Sequence, residues 1–175
     1  MKVSSEKDRI NLKERTKELH HAAEKHPLGQ SMADGSMPPR WWADWLGALF
    51  IIHSAIDRWM PEALQRVVQI AADVAETQIH PRTNFAALDY ARSLDTREKA
   101  EGAAYVFTGA HLMGGEITKR NVQDRLPVHH LEWTDRQSVV QTWKPLRERD
   151  DLEEHALAAF QAVIDVMDEI TNYDE

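Results

Sequence analysis

Apolar positions recur along this chain with a helical period. Leu152, Ala156, Ala159, Phe160, Val163, Val166, Met167 and Ile170 make one stripe at 3.6-residue spacing. Trp42, Trp45, Leu46, Leu49, Ile52, His53 and Ile56 make a second, and Leu12, Thr16, Leu19 and Ala23 a third, on a first helix. Pro61 occupies the place of a first-turn proline, which predicts a helix over 63–76. Asp95-Thr-Arg-Glu98 reads as an N-cap with a reciprocal acid, opening a helix that continues through 103–119. Thr134-Asp-Arg-Gln137 is a second capping box, opening 138–147. Between these segments lie breaks: His26-Pro27-Leu28-Gly29, Asp34 to Pro39, His80-Pro81 and Leu126-Pro127. No repeat, low-complexity tract or linker divides the chain. The pattern predicts one all-α domain over residues 1–175, with about six to eight helices.

Composition narrows the chemistry. Seven glycines and seven prolines in 175 residues are too few for the many turns of an all-β domain. The absence of cysteine removes disulfides, thiolate metal sites, cysteine nucleophiles and iron–sulfur clusters together. Any metal chemistry must run through the nine histidines and the carboxylates. The formal charge of −8 argues against a general nucleic-acid binder, which needs concentrated Lys and Arg. The charged stretch Met1 to Lys7 lacks the apolar core of a signal peptide, and the longest apolar run, Trp45 to Ile52, is too short to span a bilayer. The expectation is a soluble, cytoplasmic protein with no membrane partner.

Two segments carry candidate chemistry. On the first helix, at roughly 100° per residue, His20 lies at the edge of the stripe formed by Leu12, Leu19 and Ala23. Lys13 is on the same side two turns earlier, Glu24 follows one turn later, and His21 points away toward solvent. A flat, anionic, metal-bearing ligand suits that pair, with metal to imidazole and acid to ammonium. Spacing alone leaves the plainer alternative open, a partly buried histidine beside a surface lysine. The second segment runs from Tyr105 to Glu116 and holds Gly109, Gly114 and Gly115 in an otherwise helical context. Each glycine costs about 1 kcal/mol relative to Ala there. A kink, close helix packing or a ligand lying against bare backbone would each account for them.

At these two segments the sequence resembles the heme oxygenases. Leu12-Lys-Glu-Arg-Thr-Lys-Glu-Leu-His-His-Ala-Ala-Glu24 is similar to that family's proximal helix, and Tyr105 to Glu116 to its distal helix. The resemblance implies a helical bundle with heme held between the two, as both substrate and cofactor. It implies His20 as axial iron ligand, Lys13 as a propionate-binding cation, and Ala23 and Glu24 as residues facing the heme near the ligand. Gly114 and Gly115 fall on the distal glycines, with Met113 beside them among the heme-contacting residues. Tyr105 falls on a tyrosine that bonds a propionate in some members. The implied activity is oxidative cleavage at a meso carbon to biliverdin, with release of CO and ferrous iron. It uses O₂ and electrons from an external donor such as ferredoxin or another reductase system.

The chain departs from the family pattern where an aspartate precedes the distal glycines, because His111 stands there. That residue could bond a distal water, ligate the iron or face outward, and the outward placement is the expectation. For the second propionate the candidates are Lys144 and Arg147, then Arg136 and Arg149. His53 reads as an interior or pocket-edge histidine, and His129-His130 as a loop pair. Two other readings stay open: a non-catalytic heme-binding protein of the same fold, motivated by His111, and a di-iron relative, motivated by the single unit Glu18-x-x-His21. A thiaminase-like relative would need a cysteine nucleophile, which the chain lacks.

Overall fold

The structure, a computed structural model, describes residues 11–173, so the charged stretch Met1 to Lys7 lies outside the described residues. Ten α-helices and short 3₁₀ turns account for the regular structure among the described residues, with no strand. They are α1 (Leu12–Arg15), α2 (Lys17–Lys25), α3 (Pro27–Asp34), α4 (Pro39–Ile56), α5 (Val67–Thr77), α6 (Phe85–Ser93), α7 (Arg97–Gly109), α8 (Gly115–Val122), α9 (Arg136–Trp143) and α10 (Glu153–Asn172). A π-helical segment, Ala110–Gly114, joins α7 to α8. No helix among the described residues is long and apolar enough to cross a membrane.

The expected stripes become the core. On α4, Trp42, Trp45, Leu46, Leu49, Ile52, His53 and Ile56 are all buried. On α10 the buried residues include Ala156, Ala159, Val163, Val166, Met167 and Ile170. These helices touch each other and both pack on α7, with α10 against α2 and α6 as well. Burying the large residues Trp42 and Phe107 contributes about 25 cal/mol per Å² of apolar surface removed from water.

Several boundaries differ from the sequence reading, each for a local reason. The first helix is broken at Thr16, whose hydroxyl donates to the Leu12 carbonyl at 2.7 Å. Pro27 does not only end a helix; it begins α3, capped by His26, whose Nδ1 accepts from the Leu28 N–H at 3.1 Å. The other ring nitrogen of His26 meets Asp168 Oδ1 on α10 at 2.8 Å, which ties the α2–α3 corner to the bundle. The helix expected over 63–76 starts only at Val67, after a 3₁₀ turn at Glu62–Leu64 and an extended Gln65. Its exposed donors are met from another element: Asp57 Oδ2 accepts the N–H groups of Arg66 and Val67, each at 2.8 Å. The two capping boxes are each displaced by one residue, to Thr96 and Asp135. Both residues accept from the backbone N–H three positions on, as a cap should.

Asp44, buried within the apolar α4, has its charge met on both oxygens. Arg40 Nη2 reaches Oδ1 at 2.9 Å and Arg82 Nε reaches Oδ2 at 2.7 Å. Arg40 also donates to the His80 carbonyl at 2.9 Å, so the His80-Pro81 connection is pinned to α4.

Candidate functional site

The long helix expected through 103–119 is interrupted where the glycines fall. From Ala110 to Gly114 the backbone takes a π turn, wider than the α-helix and common at functional sites. Arg136 donates from Nη2 to the Leu112 carbonyl in that turn at 2.9 Å. The three glycines have three different surroundings. A Cβ on Gly109 would meet the Trp143 ring at 2.6 Å, so its absence lets α9 pack closely. A Cβ on Gly115 would meet Leu131 at 3.2 Å. A Cβ on Gly114 would meet nothing within 4 Å, because this residue borders open space.

That space is a cavity of about 530 Å³ between α2 and the interrupted helix, closed on other sides by α4, α10 and Trp143. Sites for cofactors and small ligands commonly measure roughly 300–1,000 Å³. Lys13, His20, Ala23, Glu24, Tyr105, His111, Met113, Gly114, Gly115 and Arg147 all line it. The described structure thus brings these residues together, and of the four basic candidates for the second propionate only Arg147 lines the cavity. Lys144 is exposed and does not line the cavity, because the chain leaves α9 there through a 3₁₀ turn, Lys144–Glu148, of which only Arg147 reaches the cavity. The fallback Arg149 is engaged elsewhere, with Glu101 and with Asp151. Glu18 and His21 are exposed and neither lines the cavity; His21 meets Glu24 at 3.3 Å.

His20 is half exposed, with Glu24 Oε1 3.3 Å from its Nε2 and the Phe160 ring 5.7 Å away. One turn before it, Thr16 shares a hydrogen bond with Tyr105, and Arg147 acts on the same phenol electrostatically. Burial pushes the Tyr105 phenol up, while Thr16 and Arg147 pull it back. Tyr105 stacks on Trp143 at 5.6 Å with an interplanar angle of 6°. Because α1 packs on the 3₁₀ turn that carries Arg147, Lys13, Tyr105 and Arg147 gather at one end of the cavity. Arg147 Nε is buried without a hydrogen-bond partner, and Glu148 Oε1 stands 3.7 Å from it, beyond bonding range. A guanidinium at a cavity wall whose buried nitrogen makes no hydrogen bond, and whose ion pair to Glu148 is long, is suited to an anionic ligand.

His111 is the main correction. It faces inward, only 5% exposed, rather than toward solvent, because the π turn rotates it off the outer face. Its Nε2 lies 3.0 Å from Nε2 of His53, whose Nδ1 lies 3.4 Å from Asp57 Oδ1. His130, read from sequence as part of a loop pair, is also buried and lines the cavity. Its ring meets His111 edge-on at 5.0 Å, and its Nδ1 lies 2.6 Å from Asp73 Oδ2. Arg66 donates to the His130 and Glu132 carbonyls and covers the Trp133 ring. Burial lowers Arg66 to about 10, against the opposing pull of Asp57 and Asp73. Sequence reasoning missed Asp57, Asp73 and His130. The available signals were Asp57 four residues after the stripe residue His53, and Asp73 three after the apolar Ile70.

Burial holds His111 well below the usual histidine range, with His130, His53 and Arg66 adding repulsion. It also lowers His130, against the pull of Asp73. In both cases the unfolded ring, at 6.5, binds a proton that the folded ring refuses. Stability from these groups is therefore full above that pH and is lost as pH falls below it, by about 1.4 kcal/mol per pH unit for each ring that stays neutral. Thermal unfolding followed from pH 7 to pH 5 should show a falling midpoint; a flat profile would contradict the buried placement.

Comparison of the sequence with protein-family models and with curated proteins finds no match. Solved structures do match. Heme oxygenase-1 from the cyanobacterium Synechocystis, solved in complex with heme, aligns with a TM-score of 0.76 at 17% identity, covering 93% of this chain and 90% of that one. Heme oxygenase from Leptospira interrogans aligns with a TM-score of 0.74 at 18% identity, covering 92% and 97%. The chain has the all-α heme oxygenase fold.

Proposed function

We propose that this chain binds one heme in the cavity between α2 and the interrupted α7–α8 helix and cleaves it at a meso carbon. The products are biliverdin, CO and ferrous iron, with O₂ and electrons from an external donor such as ferredoxin or another reductase. The observation that carries the reading is the wall of a single apolar cavity. It presents His20, the bare backbone of Gly114 and an Arg147 nitrogen without a hydrogen-bond partner, on the fold of the heme oxygenases. The residues fit the group. The lining is mostly apolar, the open face at Gly114 admits a flat ring, and the cations gather at one end. Bound heme supplies the iron that takes up O₂ and the ring that is oxidised.

The protein's part is positional. His20 offers its imidazole as iron ligand. Lys13, Tyr105 and Arg147 hold the propionates, and so select which meso carbon is presented. Gly114 lets backbone approach the ring face without a side chain between. Trp42, Phe107, Phe160, Val163 and Met167 exclude water from the ring. Glu24 lies beside His20, with Oε1 3.3 Å from Nε2.

Titration with hemin, followed by reductant in air, tests the reading. A Soret band that gives way to a biliverdin-like absorption supports it. A stable Soret band with no product would instead make the chain a non-catalytic heme binder. Lys13→Ala and Arg147→Ala should each weaken hemin binding by about tenfold, roughly 1.4 kcal/mol, or change the mix of biliverdin isomers. Unchanged affinity together with one unchanged isomer would remove the residue from the propionate site.

A further inference from the structure

The geometry points to a cavity wall of built-in polarity. Asp57, acting through His53, holds His111 as its Nε2–H tautomer, and Asp73 holds His130 as its Nδ1–H tautomer, so both cavity-lining rings present a lone pair and no N–H. The argument rests on hydrogen-bond direction. Both aspartates meet only donors: Asp57 accepts the Arg66 and Val67 N–H groups, and Asp73 those of His129 and His130 at 2.7 and 2.9 Å. The nitrogens facing them, Nδ1 of His53 and Nδ1 of His130, must therefore carry hydrogen. His53 is fully buried and its one carboxylate contact is long, at 3.4 Å, so the proposal places a single proton on this ring, at Nδ1, and leaves Nε2 as the lone pair. The 3.0 Å contact between the two Nε2 atoms needs one proton, and His111 supplies it. What remains is Nδ1 of His111 and Nε2 of His130, neither with a hydrogen-bond partner among the described residues. Arg66, the only cation bonded into this group among the described residues, donates to backbone carbonyls and touches neither free nitrogen.

A lone-pair wall orders water in one sense. A water that gives one hydrogen to either ring keeps its second hydrogen for a ligand in the cavity. On the heme reading, which this inference takes as its premise, that arrangement supplies protons toward the ligand side. His53, Asp57 and Asp73 are then positioning residues that act through His111 and His130.

The test uses the full chain labelled with ¹⁵N-histidine, without heme, near neutral pH. Long-range ¹H–¹⁵N correlation should show His111 protonated on Nε2, and His53 and His130 on Nδ1. The last two are a form that a free imidazole favours less. In Asp57→Asn the carboxamide oxygen must still accept from the Arg66 and Val67 N–H groups, so its NH₂ turns toward His53. His53 and His111 should then both reverse tautomer. A wild-type His111 protonated on Nδ1, or an unchanged His111 in Asp57→Asn, overturns the proposal. The wild-type spectrum decides the matter even if the variant does not fold. With hemin loaded, reduced and exposed to CO as probe, Asp57→Asn should lower the C–O stretching frequency, because an N–H replaces a lone pair. An unchanged frequency would show that the ring does not face the ligand. Failure to take up hemin at all would strike the heme reading and leave the tautomer result standing.

Discussion

His20→Ala is expected to abolish the absorption spectrum of an axial-imidazole heme complex. The side chain is 51% exposed and lines the cavity, and its partners, Glu24 and Phe160, keep their own places without it. Removing it should therefore change stability by no more than about 0.5 kcal/mol, as for other exposed substitutions. Loss of the spectrum with an unchanged thermal midpoint separates ligation from folding. His21 cannot substitute, since it does not line the cavity. His111 and His130 do line it, but on the wall of the interrupted helix opposite α2, where their buried rings are held by His53 and Asp73. Free imidazole added to the variant should enter the vacated space and restore the spectrum. A wild-type spectrum in His20→Ala without added imidazole would sink the assignment.

Gly109→Ala should destabilise the protein, whereas Gly114→Ala should not. An added Cβ at 109 comes within 2.6 Å of the Trp143 ring, which is buried and stacked on Tyr105. The Trp143 indole N–H also donates to the Tyr105 carbonyl at 3.3 Å, so the ring has no free direction in which to yield. Overpacking of this kind costs about 1–3 kcal/mol. A domain of this size loses about 2–4 °C in Tm for each kcal/mol. The gain in helix propensity from Gly to Ala, about 1 kcal/mol, offsets only part of it. At 114 the same methyl meets nothing, so the propensity gain stands and stability should hold or rise. Its effect falls on the cavity: hemin binding should weaken if the ring lies against that backbone. Equal stability losses in the two variants would contradict the separate roles.

These glycines show how much was legible in sequence. Their cost inside a helix flagged the segment, but it could not distinguish one that admits Trp143 from one that borders a cavity. That difference depends on which residues arrive from α9 and the turn near Leu131, both distant in sequence. The same holds for the cations. Lys13 and Arg147 reach the cavity while Lys144, three residues from Arg147, does not, because a 3₁₀ turn replaces the helical register there. The expectation that His111 faces outward rests on the usual exposure of histidines in long helices, and no local signal announces the π turn that places it inward.

The sequence by itself determined the helical class, the stripes on α4 and α10 and the lack of any cysteine chemistry. It also determined that His20 and Glu24 share one side of α2, whereas Lys13 joins them at the cavity across the break at Thr16. Each of these follows from local period or composition. Tertiary structure alone decided that Asp57 and Asp73 back two histidines of the cavity wall, and that Tyr105, Thr16 and Arg147 meet. Such pairings join side chains from separate helices, and their energy comes from burial without water. No local pattern can report how much water is excluded until the helices have packed.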